Sequence, residues 1–134
     1  SDLKKALSGL VWLKSGAYLV IQPTEALTVV DVNTGKNVAK KEMQENFLRV
    51  NKEAAEEIAR QLRLRNLSGM VLVDFINLTS KSAEEELLKT FRAALQKDPV
   101  PAQLIDMTAL GLVEVTRKKI KRPLHEIFPD GLGF

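Results

Sequence analysis

The sequence predicts an α/β fold, with an α+β arrangement as the alternative, in which a mixed β-sheet of about five to six strands packs with two main helices. Apolar runs rich in β-branched residues at positions 27–32 and 70–75 are typical of buried strands. A stretch of helix-forming residues at 51–65 separates them, so the three elements form a β-α-β unit with parallel strands. Upstream, Ser15-Gly16 between two apolar runs indicates a β-hairpin.

The N-terminal part is predicted to be a three-stranded meander. Its strands occupy residues 11–14, 17–22 and 27–32, joined by the Ser15-Gly16 turn and by a second turn that begins at the following proline. The polar stretch at 38–46 shows no clear period, so it is predicted to be a loop.

Capping residues mark the predicted helix ends. The first main helix is predicted to begin at Asn51, with acidic residues in its first turns and arginines near its end, as the helix dipole favours. Residues 66–69 end it. The second helix is predicted to open at Ser82, with Glu85 as its capping-box partner, and to end before Asp98.

Length and composition indicate one folded domain. Two further strands are predicted at 103–107 and 112–116, which completes a single domain over residues 1–122, followed by a poorly ordered tail at 123–134. The sequence has no apolar run of about 18 residues and no signal-peptide pattern, so no membrane association is predicted. The absence of cysteine excludes disulfides and thiolate ligands and fits a cytoplasmic location. The net charge of +3 permits a polyanionic partner without demanding one.

Two strands of the predicted sheet end in a carboxylate, namely Asp31 and Asp74. If these strands are parallel neighbours, both side chains lie at the edge where open α/β sheets bind ligands. Two convergent carboxylates repel each other, and a hard divalent cation removes that repulsion. The pattern therefore predicts a Mg²⁺ site, with Asn33 on the same face as a further oxygen ligand or a water-orienting group. The alternative is that each residue caps or shapes a turn.

Basic residues form a second candidate site, because their charge suits phosphates. The candidate phosphate-contacting residues are Lys36, Arg117, Lys118, Lys119, Lys121 and Arg122. A solvated surface is the alternative interpretation for this run.

Several other site chemistries are excluded. The sequence has no GxxxxGK phosphate loop. The single histidine, His125, falls in the predicted tail, so neither a catalytic triad nor a histidine metal site is expected. Aromatic residues make up 5% of the chain and are not interleaved with the basic run, so no base-stacking platform is predicted.

Five segments of the chain occur in the order in which similar segments occur in the ribonuclease E/G family. Together they resemble the catalytic subdomain of that family, which is similar to deoxyribonuclease I. The resemblance covers about residues 11–119 and is most specific in the string from Glu53 to Leu67. The five segments are residues 23–28, 31–35, 51–67, 73–76 and 110–118.

The resemblance implies a bacterial endoribonuclease that cleaves single-stranded, often AU-rich RNA in RNA processing and mRNA decay. The implied reaction is Mg²⁺-dependent hydrolysis, with Mn²⁺ as a substitute, which leaves a 5′-phosphate on the 3′-side product. Family roles carry over to Asp31 and Asp74 as metal-holding residues, and to Asn33 as the residue that holds the scissile phosphate or the attacking water. The basic residues named above would then contact RNA.

The chain also departs from the family pattern. Asn77 stands where many family members have Asp. The S1-type RNA-binding module and the 5′-monophosphate-sensing pocket are expected to lie outside this chain, and the Cys-x-x-Cys zinc link of the family is absent because the chain has no cysteine. The whole enzyme is expected to be a homo-oligomer. The alternative function is a metal-independent RNA-binding or scaffolding fragment without activity on its own.

Overall fold

The computed structural model describes residues 9–35 and 43–120. Within them, six strands join one sheet and two helices connect parts of it. The elements are β1 (Leu10–Trp12), β2 (Tyr18–Pro23), β3 (Leu27–Asn33), α1 (Met43–Leu64), β4 (Gly69–Asp74), α2 (Lys81–Leu95), β5 (Ala102–Met107) and β6 (Val113–Arg117). The predicted α/β class, the meander and the β-α-β unit are confirmed.

The strand order in the sheet is β1-β2-β3-β4-β6-β5. The first three strands pair antiparallel, and α1 then carries the chain over the sheet so that β4 returns parallel to β3. After α2 the chain forms the outer strand β5 and turns back as β6, which inserts antiparallel beside β4. The parallel pair β3–β4 therefore lies at the centre of the sheet, where neighbouring strands hold it on both sides.

Alternating burial shows that both helices cover the same face of the sheet. In β3 the side chains of Val30 and Val32 are buried, whereas the residues between them are half-buried. The helices supply Ile58 and Phe91, both fully buried, to the same core cluster. Burying a side chain of this size contributes about 1.5–3 kcal/mol, so this layer supplies much of the stability. We call the other face, which neither helix covers, the open face; it carries Tyr18, Val29, Asp31, Asn33, Leu72 and Asp74.

Helix α1 begins at Met43, eight residues before the predicted N-cap, so the prediction of a loop at 38–46 is wrong from Met43 onward. Asn51 lies inside the helix and is fully buried. Its Nδ2 donates to the Ile76 carbonyl at 2.8 Å, and its Oδ1 accepts from the Ile76 amide at 2.9 Å. An asparagine at a helix start and one buried in a helix interior look alike in sequence, because only a tertiary partner distinguishes them.

Helix α2 begins at Lys81 and its N-cap is Ser80, two residues before the predicted Ser82. The Ser80 hydroxyl accepts a hydrogen bond from the Ala83 amide at 3.3 Å and lies 2.9 Å from the Ser82 hydroxyl. Both serines suit the position by residue type, and the path of the preceding loop decides between them.

Arg117 is buried at the end of β6, with 3% of its side chain exposed. Its Nε donates to Asp98 Oδ2 at 2.7 Å, and its Nη1 donates to Asn66 Oδ1 and to the Leu67 carbonyl, each at 3.0 Å. Burial alone would raise the pKa of Asp98, but hydrogen bonds from Arg117 and the Val100 amide, together with the charge of Arg117, hold that pKa below its ordinary value. The guanidinium thus ties together the loops that end α1 and α2, and the structure removes Arg117 from the predicted RNA-contacting surface.

Other predictions fall outside the described residues. They concern Lys36, Lys121, Arg122 and the tail at 123–134. Within residues 9–35 and 43–120, neither helix is both long and apolar enough to cross a membrane.

Candidate functional site

The site is built on the central pair of parallel strands. Asp31 in β3 and Asp74 at the end of β4 are direct partners in the register, and both side chains lie on the open face. Neighbouring strands are about 4.8 Å apart, so the two carboxylates are adjacent. Asp31 is half-buried and Asp74 is exposed. The structure thus brings together the two residues that the sequence predicted as partners, and it leaves the pair accessible from solvent.

The proximity of the two carboxylates perturbs Asp31. Burial raises the pKa of its carboxyl above the ordinary value, and the negative charge of Asp74 and a side-chain hydrogen bond with Asp74 raise it further. Two carboxyl groups at this spacing resist simultaneous ionisation, so they favour a shared proton or a bound cation. The pair therefore has the electrostatics of a cation-binding site.

The candidate metal ligands are few, and they are hard oxygen donors. Among residues 9–35 and 43–120, no group of three or more His, Cys, Asp or Glu side chains is placed to hold a metal ion. Two aspartates match the way in which Mg²⁺ is usually held, through one or two carboxylates with water and substrate phosphate in the other positions. The residues present therefore fit a Mg²⁺ ion that keeps several waters, and they do not form a closed cage.

Asn33 extends the site along β3. It is the last residue of the strand, half-buried, and faces the same side as Asp31. Within the described residues no hydrogen bond holds its amide group, which leaves both amide atoms free for a ligand. Gly35 follows with a φ of +70°, and a Cβ there would lie 3.0 Å from the Gly16 carbonyl oxygen. The glycine therefore lets the chain pass close to the hairpin turn just after the end of β3.

A cavity of about 280 Å³ adjoins Asp74. The loop after β4 supplies Asn77 to its wall, and the β5–β6 turn supplies Leu110. The neighbouring Thr79 lies in the loop before α2, where its amide donates to Gln44 Oε1 of α1 at 2.9 Å. Asn77 thus lines a cavity next to Asp74, whereas Thr79 positions the loop.

The basic run is not at this edge. β6 is antiparallel to β4, with Val113 opposite Val73 and Arg117 opposite Gly69. Lys118 and Lys119 therefore follow the strand at the far edge of the sheet, and at about 3.3 Å per residue they begin more than about 15 Å from Asp74. Both side chains are exposed. They are free to contact a polyanion, but they do not flank the carboxylate pair.

The structure also shows an aromatic pair that the sequence reasoning missed. Trp12 pairs with Tyr18 across the first hairpin, and their ring centroids are 5.1 Å apart at 51°. Tyr18 in turn pairs with Asn33, so the three residues form one row across the open face. The sequence signal for this pair is the symmetric spacing of Trp12 and Tyr18 about Ser15 in the predicted hairpin.

The fold and the site define a class: a mixed-sheet α/β domain with a carboxylate pair where two parallel strands end, the position at which such sheets bind ligands. A family comparison then matches residues 1–120 to the Ribonuclease E/G family. The chain belongs to this family, which confirms the resemblance predicted from the sequence.

Individual relatives agree with this assignment. The chain is 46% identical over 128 residues to Ribonuclease E of Nostoc sp., a match that spans 96% of the chain and 19% of the relative. It is 41% identical over 127 residues to Ribonuclease G of Escherichia coli, spanning 95% of the chain and 26% of the relative. Ribonuclease G of Haemophilus influenzae is 39% identical over 128 residues, spanning 96% and 26%. The chain thus spans about a fifth to a quarter of the length of these relatives.

Proposed function

We propose that this chain carries the catalytic residues of a Mg²⁺-dependent endoribonuclease, which hydrolyses single-stranded RNA and leaves a 5′-phosphate on the 3′-side product. The observation that carries the proposal is the direct pairing of Asp31 with Asp74 on the central parallel strands. Membership of the Ribonuclease E/G family supports RNA as the substrate. RNA processing and decay in the cytoplasm is the corresponding cellular role.

Each site residue has a distinct part in this proposal. Asp31 and Asp74 would hold the cation through their carboxylate oxygens, because the burial and the neighbouring negative charge that raise the pKa of Asp31 favour a positive partner. A Mg²⁺ ion held there would supply Lewis-acid stabilisation of charge on the scissile phosphate and would activate the attacking water. The Asn33 amide donates a hydrogen bond to a phosphate oxygen or orients the attacking water, because it lies on the same face two residues beyond Asp31.

Paramagnetic broadening by Mn²⁺ tests the metal site directly. We expect Mn²⁺ to broaden the amide signals around Asp31 and Asp74 in the chain, and the Asp74→Asn variant to lose this effect. The variant should still unfold cooperatively, which separates loss of the site from loss of the fold. Broadening that is equal in the wild type and the variant would refute the assignment of the metal site.

Cleavage of RNA tests the reaction. With a 3′-labelled single-stranded oligoribonucleotide and Mg²⁺, the labelled product should carry a 5′-phosphate, and Asp31→Asn should abolish the cleavage. Metal-dependent cleavage that is unchanged in Asp31→Asn would contradict the assigned role of this residue.

A second candidate function is metal-independent RNA binding, favoured by the exposed cations Lys118 and Lys119 at the far edge of the sheet. The double variant Lys118→Ala with Lys119→Ala should then bind RNA more weakly and with a flatter salt dependence, the slope changing by about 1 to 2 for two lost phosphate contacts. An unchanged slope would assign both lysines to solvated surface. Asp31→Asn distinguishes the two functions, because removing a negative charge should leave simple binding equal or stronger.

A further inference from the structure

We propose that Trp12 and Tyr18 form a stacking platform for an unpaired nucleobase of the RNA whose phosphate lies at the carboxylate pair. This inference deepens the proposed function and rests on it for the identity of the ligand. The observation that carries it is the row Trp12–Tyr18–Asn33 across the open face, which joins an aromatic surface to the candidate site.

The distance along this row suits a single-stranded nucleic acid. Tyr18 is the direct partner of Asn33, and Trp12 lies one strand further out. With strands about 4.8 Å apart, the Trp12 backbone is roughly 10 Å from that of Asn33. A base attached one or two nucleotides from a phosphate at Asn33 can therefore reach the rings.

The platform is exposed although it is held firmly. Trp12 is 53% exposed, although its ring packs against that of Tyr18. The hairpin beneath it is anchored by the buried side chains of Leu13 and Ala17, with the Leu13 amide donating to the Ala17 carbonyl at 2.8 Å. At the turn, the Ser15 hydroxyl donates to Glu53 Oε1 of α1 at 2.6 Å. An aromatic side chain presented on an anchored hairpin loses little conformational entropy when it binds a flat ligand.

The chemistry selects a nucleobase as the occupant. Every base has a π-face, and stacking on an aromatic side chain contributes to binding without reading the base edges. Bases within a duplex are already stacked on their neighbours, so a platform of this kind favours unpaired over paired RNA. The proposed cation and phosphate site adjoins the platform, so one RNA strand can occupy both. An apolar protein segment would have no use for the cation and phosphate site.

The fluorescence of Trp12 tests the proposal, because it is the only tryptophan in the chain. The probes are a single-stranded oligoadenylate and an abasic oligonucleotide of the same length, and binding of each is followed separately by the anisotropy of a label. We expect saturable quenching of Trp12 by the oligoadenylate and none by the abasic strand. Absence of quenching up to millimolar oligoadenylate would overturn the platform.

Variants separate stacking from general binding. Trp12→Leu should weaken binding of the oligoadenylate by about fivefold or more, and Trp12→Phe should restore most of the affinity. The control is Met70→Ala, an exposed apolar residue on the open face near the opposite end of the parallel pair, which should bind like the wild type. Equal affinities for the wild type and Trp12→Leu would overturn the proposal.

Two readouts keep this inference distinct from the proposed function. If Mn²⁺ broadens the signals at Asp31 and Asp74 while Trp12 is not quenched, the platform is wrong and the metal site stands. If Trp12 is quenched in both the wild type and Asp31→Asn while Mn²⁺ causes no selective broadening, the metal site is wrong and the platform stands.

Discussion

Asp31 is predicted to destabilise the metal-free protein at neutral pH, so replacing it with asparagine should stabilise the fold. Two unit charges about 5 Å apart repel each other by about 1 kcal/mol in a water-like medium and by about 3 kcal/mol at an effective dielectric constant near 20. Asp74 is exposed and Asp31 is half-buried, which places the pair towards the lower value. We therefore expect Asp31→Asn to raise the free energy of unfolding by about 1 kcal/mol in EDTA.

The pH dependence of the free energy of unfolding independently gives the direction of the effect of Asp31→Asn. The pKa of Asp31 is raised in the folded protein, first by burial and then by Asp74, so the folded state binds this proton more tightly than the unfolded state does. Stability contributed by that proton is therefore present at low pH and is lost as the pH rises through the raised pKa. The advantage of Asp31→Asn over the wild type should accordingly shrink as the pH is lowered into the acid range.

Magnesium should reverse the order of stability. A ligand that binds only the folded state at ten times its dissociation constant stabilises by about 1.4 kcal/mol, so Mg²⁺ should raise the stability of the wild type and leave Asp31→Asn nearly unchanged. Urea unfolding followed by circular dichroism, in EDTA and in Mg²⁺, measures both effects. Glu25→Gln is the control, because Glu25 is an exposed carboxylate in the turn between β2 and β3. If Asp31→Asn destabilises the metal-free protein, or if Mg²⁺ stabilises both proteins equally, the reasoning is refuted.

Two further predictions concern two buried polar residues, Arg117 and Asn51. Arg117→Ala should lower the free energy of unfolding by about 3–5 kcal/mol because it leaves the buried Asp98 carboxylate unpaired, whereas the exposed neighbour Lys118→Ala should change it by less than about 0.5 kcal/mol. Since the pKa of Asp98 is lowered in the fold, the stability that the Arg117–Asp98 pair contributes should be lost as the pH falls through that lowered pKa. Similar urea midpoints for Arg117→Ala and Lys118→Ala at neutral pH would contradict the structural role of Arg117. Asn51→Ala should cost about 1–3 kcal/mol, because it leaves the backbone groups of Ile76 without their partner two residues after Asp74. The same variant should weaken Mn²⁺ broadening near Asp74, and an unaltered broadening pattern would show that Asn51 supports the fold but not the site.

The central part of the candidate site follows from local sequence alone. Two β-branched runs, each ending in or just beyond an aspartate, are separated by a helix whose composition is clear. A strand-helix-strand connection makes neighbouring strands parallel, and parallel strands bring equivalent ends to one edge. The pairing of Asp31 with Asp74 could therefore be predicted, because each step depends on residues close together in the chain.

The helix starts were predicted less well for a different physical reason. A polar residue such as Asn51 can cap a helix or can bond a distant backbone from within it, and the residue itself does not show which. Its partner, Ile76, lies 25 residues away and becomes a neighbour only after α1 has packed against the sheet. The same ambiguity separates Ser80 from Ser82, since both can accept the capping hydrogen bond.

By itself, the sequence of this protein determined its α/β class, its β-α-β unit, its family resemblance and the meeting of Asp31 with Asp74, because these depend on local periodicity and on chain connectivity. The tertiary structure decided where the other charged and aromatic residues lie relative to this aspartate pair. The return of β6 antiparallel to β4 buries Arg117 and carries Lys118 to the far edge, and the hairpin register sets Trp12 in the row that ends at Asn33. The physical reason is that burial and lateral neighbours are set by strand order and register, and these are fixed only when distant segments pack together.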